Sequence, residues 1–203
     1  MEYYELHPET PQLRYINKAV EILKQGGVII YPTDTVYGLG CDIYNKEAIE
    51  RIYMIKNEAD TKLLSFICSD LKDISHYAKV SNYAYKAMKK LIPGPYTFVL
   101  PAAKDVPKKI WTKRKTVGIR VPDHKIARTL AGELGHPIIS TSVTNRRGDI
   151  YFDPAEIRTV FDHLVDLMLA DGALSGKTSS IVDLSGDEPK IIREGAGDLS
   201  YFL

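Results

Sequence analysis

The sequence predicts one α/β domain on a twisted mixed sheet. Helical and strand-like segments alternate early in the chain, strand-like segments cluster late, and no linker, repeat or low-complexity run divides it. At 203 residues, with 44% hydrophobic and 26% charged residues, the chain is long enough to bury a core and ordinary in composition.

Each element has its own signal. Thr10-Pro11 predicts a first helix, with Thr as N-cap and Pro at the first helical position. Leu13, Ile16, Val20 and Leu23 follow at helical spacing, and Gly26-Gly27 stops the helix. Val28 to Tyr31 is a β-branched run that reads as a buried strand, ended by Pro32, which has no N–H for a sheet ladder. Thr33, Asp34, Thr35 and Tyr37 crowd its exit, with Gly38 and Gly40 beyond, where glycine lets a ligand approach the backbone. A β-turn with solvated hydroxyls reads the same segment equally well. Asn45 caps a helix with Ala48, Ile49, Ile52 and Ile55 on its apolar face, and that helix delivers Lys56 near its end.

Leu63 to Cys68 is strand-like, and Asp70 to Tyr77 reads as a short helix. Ser81 caps the next helix, with Tyr83, Ala84, Ala87, Met88 and Leu91 facing inward. Beyond the Pro93-Gly94-Pro95 turn come strands from Tyr96 to Leu100 and from Thr116 to Val121, the second cut off by Pro122. Asp123 caps a helix through Ile126, Ala127, Leu130 and Leu134, closed by Gly135. Pro137 to Ser142 is a strand with a hydroxyl-rich exit, and Asp153-Pro154-Ala155-Glu156 starts a helix in the manner of a capping box. Val165 to Leu169, Ser180 to Leu184 and Lys190 to Arg193 complete the strands.

Several function classes are excluded early. No run approaches the roughly 18 apolar residues of a membrane span. The segment from Met1 to Leu6 lacks the basic start and apolar core of a signal peptide, so a cytoplasmic protein is expected. Cys41 and Cys68 lie far apart and read as reduced structural thiols, and the scattered histidines predict no metal site. Gly172 to Thr178 imitates a phosphate loop, but it has three residues where the motif needs four, and a strand follows where the motif needs a helix. No Ser-His-Asp order, paired carboxylates or activated Cys supports covalent hydrolysis.

Anion binding has more support. The net charge of +1 conceals Lys104, Lys108, Lys109, Lys113, Arg114, Lys115 and Arg120 against Asp105 alone, with Lys86, Lys89 and Lys90 before them and Arg146-Arg147 after. Such a run docks nucleic acid or polyphosphate, or is a solvated face. Strand ends repeatedly pair hydroxyls with cations: Thr33 and Thr35, Thr97, Thr116 with Arg120, Ser140 to Ser142, Ser179 and Ser180, and Arg193. Taken singly, each hydroxyl satisfies strand-end backbone. Converged, they build a cleft for a carboxylate and a polyphosphate, because Arg grips planar oxyanions in bidentate fashion.

The segments Gly27 to Gly40, Pro93 to Thr97, Gly118 to Pro122, Ser140 to Ser142, Ser179 to Asp183 and Arg193 to Gly195 strongly resemble the YrdC family. The resemblance runs over roughly residues 10–198, which leaves 1–9 and 199–203 as terminal extensions. It implies a twisted sheet around a large concave, positively charged cavity. It also implies synthesis of threonylcarbamoyl-AMP from L-threonine, bicarbonate and ATP with Mg2+, in the service of tRNA threonylcarbamoyl modification. Carried over, Thr35, Arg120, Ser140 and Ser179 form the threonine pocket, with Arg120 on its carboxylate. Lys56, Thr116, Ser142 and Arg193 hold ATP, and Lys56 and Arg120 serve catalysis. Double-stranded RNA or tRNA, and partners in tRNA modification, are further implied.

Two positions depart from the family pattern. Glu58 stands where its Lys-x-Arg-Pro segment has Arg, and Thr144 where its Ser-x-Asn segment has Asn, with Asn145 next door. A carboxylate about 4 Å from one phosphate charge repels it by roughly 4 kcal/mol at an effective dielectric near 20. Lys62 is a substitute cation within reach, and Glu58 could instead point to solvent. The lost Lys-x-Arg-Pro segment, together with Arg114 to Pro122, resembles the YciO branch of the family. Weak synthesis is one expectation; nucleotide or double-stranded RNA binding without efficient synthesis is the alternative.

Overall fold

The computed structural model describes residues 1–56, 64–72, 74–104, 106, 115–145 and 147–203. Glu58, Lys62, Leu63 and most of the basic run (Lys108, Lys109, Lys113, Arg114) lie outside these, as do Asp105 and Arg146.

Among the described residues, ten strands form one mixed sheet with six α-helices. In chain order the strands are β1 (Glu2–Glu5), β2 (Val28–Tyr31), β3 (Gly38–Asp42), β4 (Ser65–Ile67), β5 (Tyr96–Pro101), β6 (Thr116–Arg120), β7 (Ile138–Ser142), β8 (Leu167–Ala170), β9 (Ser180–Asp183) and β10 (Lys190–Arg193). The helices are α1 (Leu13–Lys24), α2 (Lys46–Lys56), α3 (Ile74–Tyr77), α4 (Asn82–Leu91), α5 (Lys125–Leu134) and α6 (Pro154–Phe161). Sheet order is β1-β8-β2-β3-β7-β4-β6-β5-β9-β10. The expected single α/β domain with an open, twisted mixed sheet is what forms.

Strand alternation divides the core. Ile29 and Tyr31 of β2, Ile138 of β7 and Leu167 and Leu169 of β8 pack on one face against Ile16, Ala19 and Leu23 of α1 and Ile126, Leu130 and Leu134 of α5. Leu39, Phe66, Phe98, Ile119 and Ile139 fill the other face beneath α2, α4 and α6. Two caps work as read: the Asn45 side chain accepts from Ala48 N at 2.8 Å, and Ser81 from Ala84 N at 3.2 Å. Asp153 caps α6 through Ala155 N at 2.8 Å. Gly135 closes α5 at φ 84°, in the left-handed region that favours glycine.

Elsewhere the structure corrects the reading. α1 begins at Leu13, not behind Thr10, because the Thr10 amide and hydroxyl are both engaged by His7 Nδ1. Leu13 and Tyr83 face solvent, at 56% and 41% exposure. Asp123 does not cap α5; its amide donates to Asp34 Oδ2, and His124 takes the N-cap position without a side-chain bond. α3 keeps only the last turn of its expected span, since Asp70 Oδ1 accepts from Lys72 N at 2.7 Å and makes a local turn. Gly38 and Gly40 are strand residues. A Cβ at Gly40 would come within 2.7 Å of Ile138 Cγ2 and 3.0 Å of the Tyr31 ring, so its missing side chain makes room for those two residues, whereas Gly38 lies against the Tyr31 ring and also opens onto a cavity.

Candidate functional site

The face shared with α1 and α5 continues past them. Those helices reach Tyr31, Ile67 and Ile138. Beyond that line, Gly38, Ser65, Thr97, Arg120, Ser140, Ser142 and Ile181 border a cavity of about 360 Å³. Register explains the convergence, because Gly38 pairs with Ser142, Ser140 with Ser65, and Thr97 with Ile181. Among the described residues the lining carries three cations, Lys56, Arg120 and Arg193, with ten hydroxyl side chains and no Asp or Glu. A wall so rich in donors and fixed positive charge selects anions.

The loop after β2 is organised by Thr33. Its hydroxyl donates to Val36 O at 2.6 Å and accepts from Thr35 N at 3.2 Å, which turns the chain at the strand exit. That turn presents three oxygens to Arg120 Nη2: Thr33 Oγ1 at 3.1 Å, Asp34 Oδ1 at 2.5 Å and Thr35 Oγ1 at 2.7 Å. Arg120 is 7% exposed, and its Nε is buried without a partner among the described residues. Unpaired buried donors are rare, and the side chain that carries this one contributes to the cavity wall.

Lys56, at the end of α2, is buried and donates to Ser142 O at 3.1 Å and to Thr144 Oγ1. Thr144 therefore holds the lysine. Neighbouring Asn145 is spent on a turn, its Nδ2 donating to Asp149 Oδ2 at 2.8 Å and its Oδ1 accepting from Arg147 N and Asp149 N. Arg193 reaches the cavity through a β-bulge. Lys190 and Ile191 oppose Asp183 and Val182, but Arg193 rather than Ile192 opposes Ile181, and so shares its face. Its guanidinium donates to Ser179 O at 2.8 and 3.0 Å and to Ser179 Oγ at 3.2 Å. Burial lowers the Arg193 pKa from its usual value, and the positive charge of Arg120 lowers it further, so the two cations sense each other.

Six of the eight residues expected at the site, Lys56, Arg120, Ser140, Ser142, Ser179 and Arg193, line this cavity together. Thr35 stands behind the wall, bonded to Arg120. Thr116 does not join them: it opens β6 opposite Pro101, about 13 Å along the strand from Arg120. Ser140 Oγ accepts from Tyr31 OH at 2.8 Å and donates to Leu39 O at 3.2 Å, so it can offer a ligand only a lone pair. Thr97 reads from sequence only as one of the cleft's strand-end hydroxyls, and Ser65 and Asp34 are given no binding role there. Thr97 binds Ser179 Oγ at 2.9 Å, and its position opposite Ile181 follows from register, which a single strand does not reveal.

No helix follows Gly172 to Thr178, as expected; β9 does. This segment is fastened over the cavity edge, with Tyr37 OH donating to Gly172 O at 2.7 Å and Ser175 Oγ to Thr35 O at 3.1 Å. Cys41 and Cys68 are buried free thiols, and burial raises the Cys41 pKa. Among the described residues no group of three or more His, Cys, Asp or Glu side chains is arranged to hold a metal, and no helix is long and apolar enough to cross a membrane.

Similarity to known proteins agrees with this geometry. A threonylcarbamoyl-AMP synthase of Coxiella burnetii is 36% identical over 155 residues, covering 76% of this chain and 83% of that protein. The crystal structure of Escherichia coli YciO superposes with a TM-score of 0.96 at 43% identity, over the full length of both chains. Sua5 of P. abyssi, solved in complex with L-threonine, superposes with a TM-score of 0.89 at 27% identity; the match covers 96% of this chain and 58% of the longer Sua5 chain. A family profile for Sua5, YciO and YrdC proteins, described as telomere recombination, matches residues 21–195. The chain belongs to the Sua5/YciO/YrdC family.

Proposed function

We propose that the protein condenses L-threonine, bicarbonate and ATP to threonylcarbamoyl-AMP with release of pyrophosphate. The observation that carries this reading is the grouping of Arg120, Lys56 and Arg193 on one cavity whose lining, among the described residues, holds no acid. Arg120 receives the threonine carboxylate, with Thr35 and Asp34 fixing the guanidinium plane. Ser179 and Ser140 border the same pocket, and Ser142, Lys56 and Arg193 border the triphosphate. The threonine amine adds to CO2 with loss of a proton, or to bicarbonate with loss of water, a carbamate oxygen attacks the α-phosphorus, and pyrophosphate leaves. Lys56 and Arg193 stabilise the charge that builds on the phosphate oxygens, and the cavity holds the reactants in line. Mg2+ arrives on the triphosphate as part of the substrate. Thr144 in place of the family Asn makes its contribution through Lys56.

The test is pyrophosphate release from L-threonine, bicarbonate and ATP. Release that depends on threonine and falls at least a hundredfold in Arg193→Ala, an exposed rim position, is the expected result. Native protein that releases no more than Arg120→Ala overturns the reading.

A second reading, RNA binding, is favoured by α4. Its exposed side carries Lys86, Lys89 and Lys90 with the half-exposed Tyr83 and Tyr85, and the helix contains no acid. Log affinity for duplex RNA or tRNA then falls linearly with log salt; binding that ignores salt counts against it.

A further inference from the structure

Arg120 and Arg193 share one cavity but are held in opposite ways. Arg193 is bonded, among the described residues, only to the neutral oxygens of Ser179. Arg120 is bonded through Nη2 to a carboxylate, Asp34 Oδ1 at 2.5 Å, and both side chains of that pair are about nine-tenths buried, at 9% and 10% exposure. Asp34 cannot swing away easily, because its Oδ2 accepts the Asp123 N–H at 3.1 Å at the approach to α5. Where water is largely excluded, a carboxylate so close cancels much of the guanidinium charge, and Arg193 senses only what remains. The cavity is thus divided. Its Arg120 end carries a cation with a carboxylate bonded to it and so a reduced net charge, and its Arg193 end carries a cation bonded, among the described residues, only to neutral oxygens.

We propose that Asp34 is a specificity-determining residue: by neutralising Arg120 and fixing its plane, it reserves that end of the cavity for a singly charged planar carboxylate and keeps polyphosphate at the Arg193 end. This deepens the synthase reading and rests on it for the identity of the carboxylate. A phosphate group brings two or more negative charges. Placed against Arg120 it would meet the Asp34 carboxylate beside the guanidinium, whereas a carboxylate brings one charge and a planar shape that suits a guanidinium. Without the Asp34 charge, Arg120 becomes a buried, uncompensated cation on the cavity wall and recruits phosphate itself.

Calorimetric titration with inorganic pyrophosphate tests the division without any turnover. Asp34→Asn keeps the shape and one of the two acceptor oxygens and removes the charge. It is expected to bind one more pyrophosphate per chain than the native protein, and the gain is expected to vanish in Asp34→Asn/Arg120→Gln. Asp34→Glu, which keeps the charge, is expected to match the native count. Should Asp34→Asn lose its circular dichroism signature of folding, Asp34→Ser is titrated in its place. An uncharged variant with the native count overturns the proposal, and so does an extra pyrophosphate that persists when Arg120 is replaced. A native chain that makes no threonylcarbamoyl-AMP, with the extra pyrophosphate still gained on charge removal, sinks the synthase reading and leaves the division of charge standing.

Discussion

One sheet face does two jobs, and the boundary runs across individual strands. Under α1 and α5 it carries Ile29, Ile138, Leu167 and Leu169; a few residues along, it carries Ser65, Thr97, Arg120, Ser140 and Ser142. β7 passes from Ile138 to Ser140 and Ser142 on the same side, and β4 makes the reverse change from Ser65 to Ile67. Tyr31 straddles the seam, its ring lying over Gly38 and Gly40 and its hydroxyl donating to Ser140 at 2.8 Å. Where a helix covers the face, apolar burial holds the sheet. Where none does, paired polar side chains hold it and line a cavity.

The two halves are therefore expected to fail differently. The largest loss is in the polar half: Arg120→Ala leaves Asp34 buried and unpaired, and urea unfolding is expected to show about 3–5 kcal/mol of destabilisation together with loss of pyrophosphate release. Leu130→Ala, fully buried in the covered half, is expected to cost about 2–5 kcal/mol by urea unfolding while turnover of the folded fraction stays native. A Leu130→Ala variant that stays stable but loses activity would break the contrast. Ser140→Ala, at the seam, takes the acceptor from buried Tyr31 OH and is expected to cost about 1–3 kcal/mol.

The smallest effect is invisible at neutral pH. Burial raises the pKa of Tyr31 and Tyr37 above 10.0 and that of Cys41 above 9.0. Above those ordinary values the unfolded chain loses protons that the folded chain retains, so the native state binds more protons and stability falls as pH rises. Each group contributes a slope of up to about 1.4 kcal/mol per pH unit. Urea midpoints are expected to hold steady up to about pH 8 and then decline, with a shallower decline in Tyr37→Phe. A flat profile through pH 11 would remove the burial argument.

Much of this plan was legible in the chain. Val28 to Tyr31 announced its strand, Pro32 its end, and Ser81 and Asn45 their helices, because caps and breakers act within a few residues. Strand exits rich in Ser and Thr pointed to the cavity for a similar reason: a side chain's face follows from local alternation once a strand is known. Contacts between strands distant in sequence were not legible. Nothing in Glu2 to Glu5 reveals that it pairs in parallel with β8 as the sheet's edge. Nothing local to Gly40 shows that its missing Cβ accommodates the Tyr31 ring, and nothing local to Thr116 shows that it sits a strand's length from the other expected residues. Asp34 was visible as a carboxylate, but its role depends on Arg120, 86 positions away. The Glu58 departure lies outside the described residues.

The irregular last strand has a consequence of its own. Alignment with Ile181, not distance along the backbone, decides which side of the sheet the Arg193 guanidinium meets. A chain shortened by Ile192 alone would keep that cation at the mouth, in an uninterrupted ladder. Keeping every residue but ironing out the kink would slide Ile192 into the mouth and turn the positive charge toward the opposite side, so a change in hydrogen-bond phasing there could abolish anion capture without altering a single amino acid that touches the ligand.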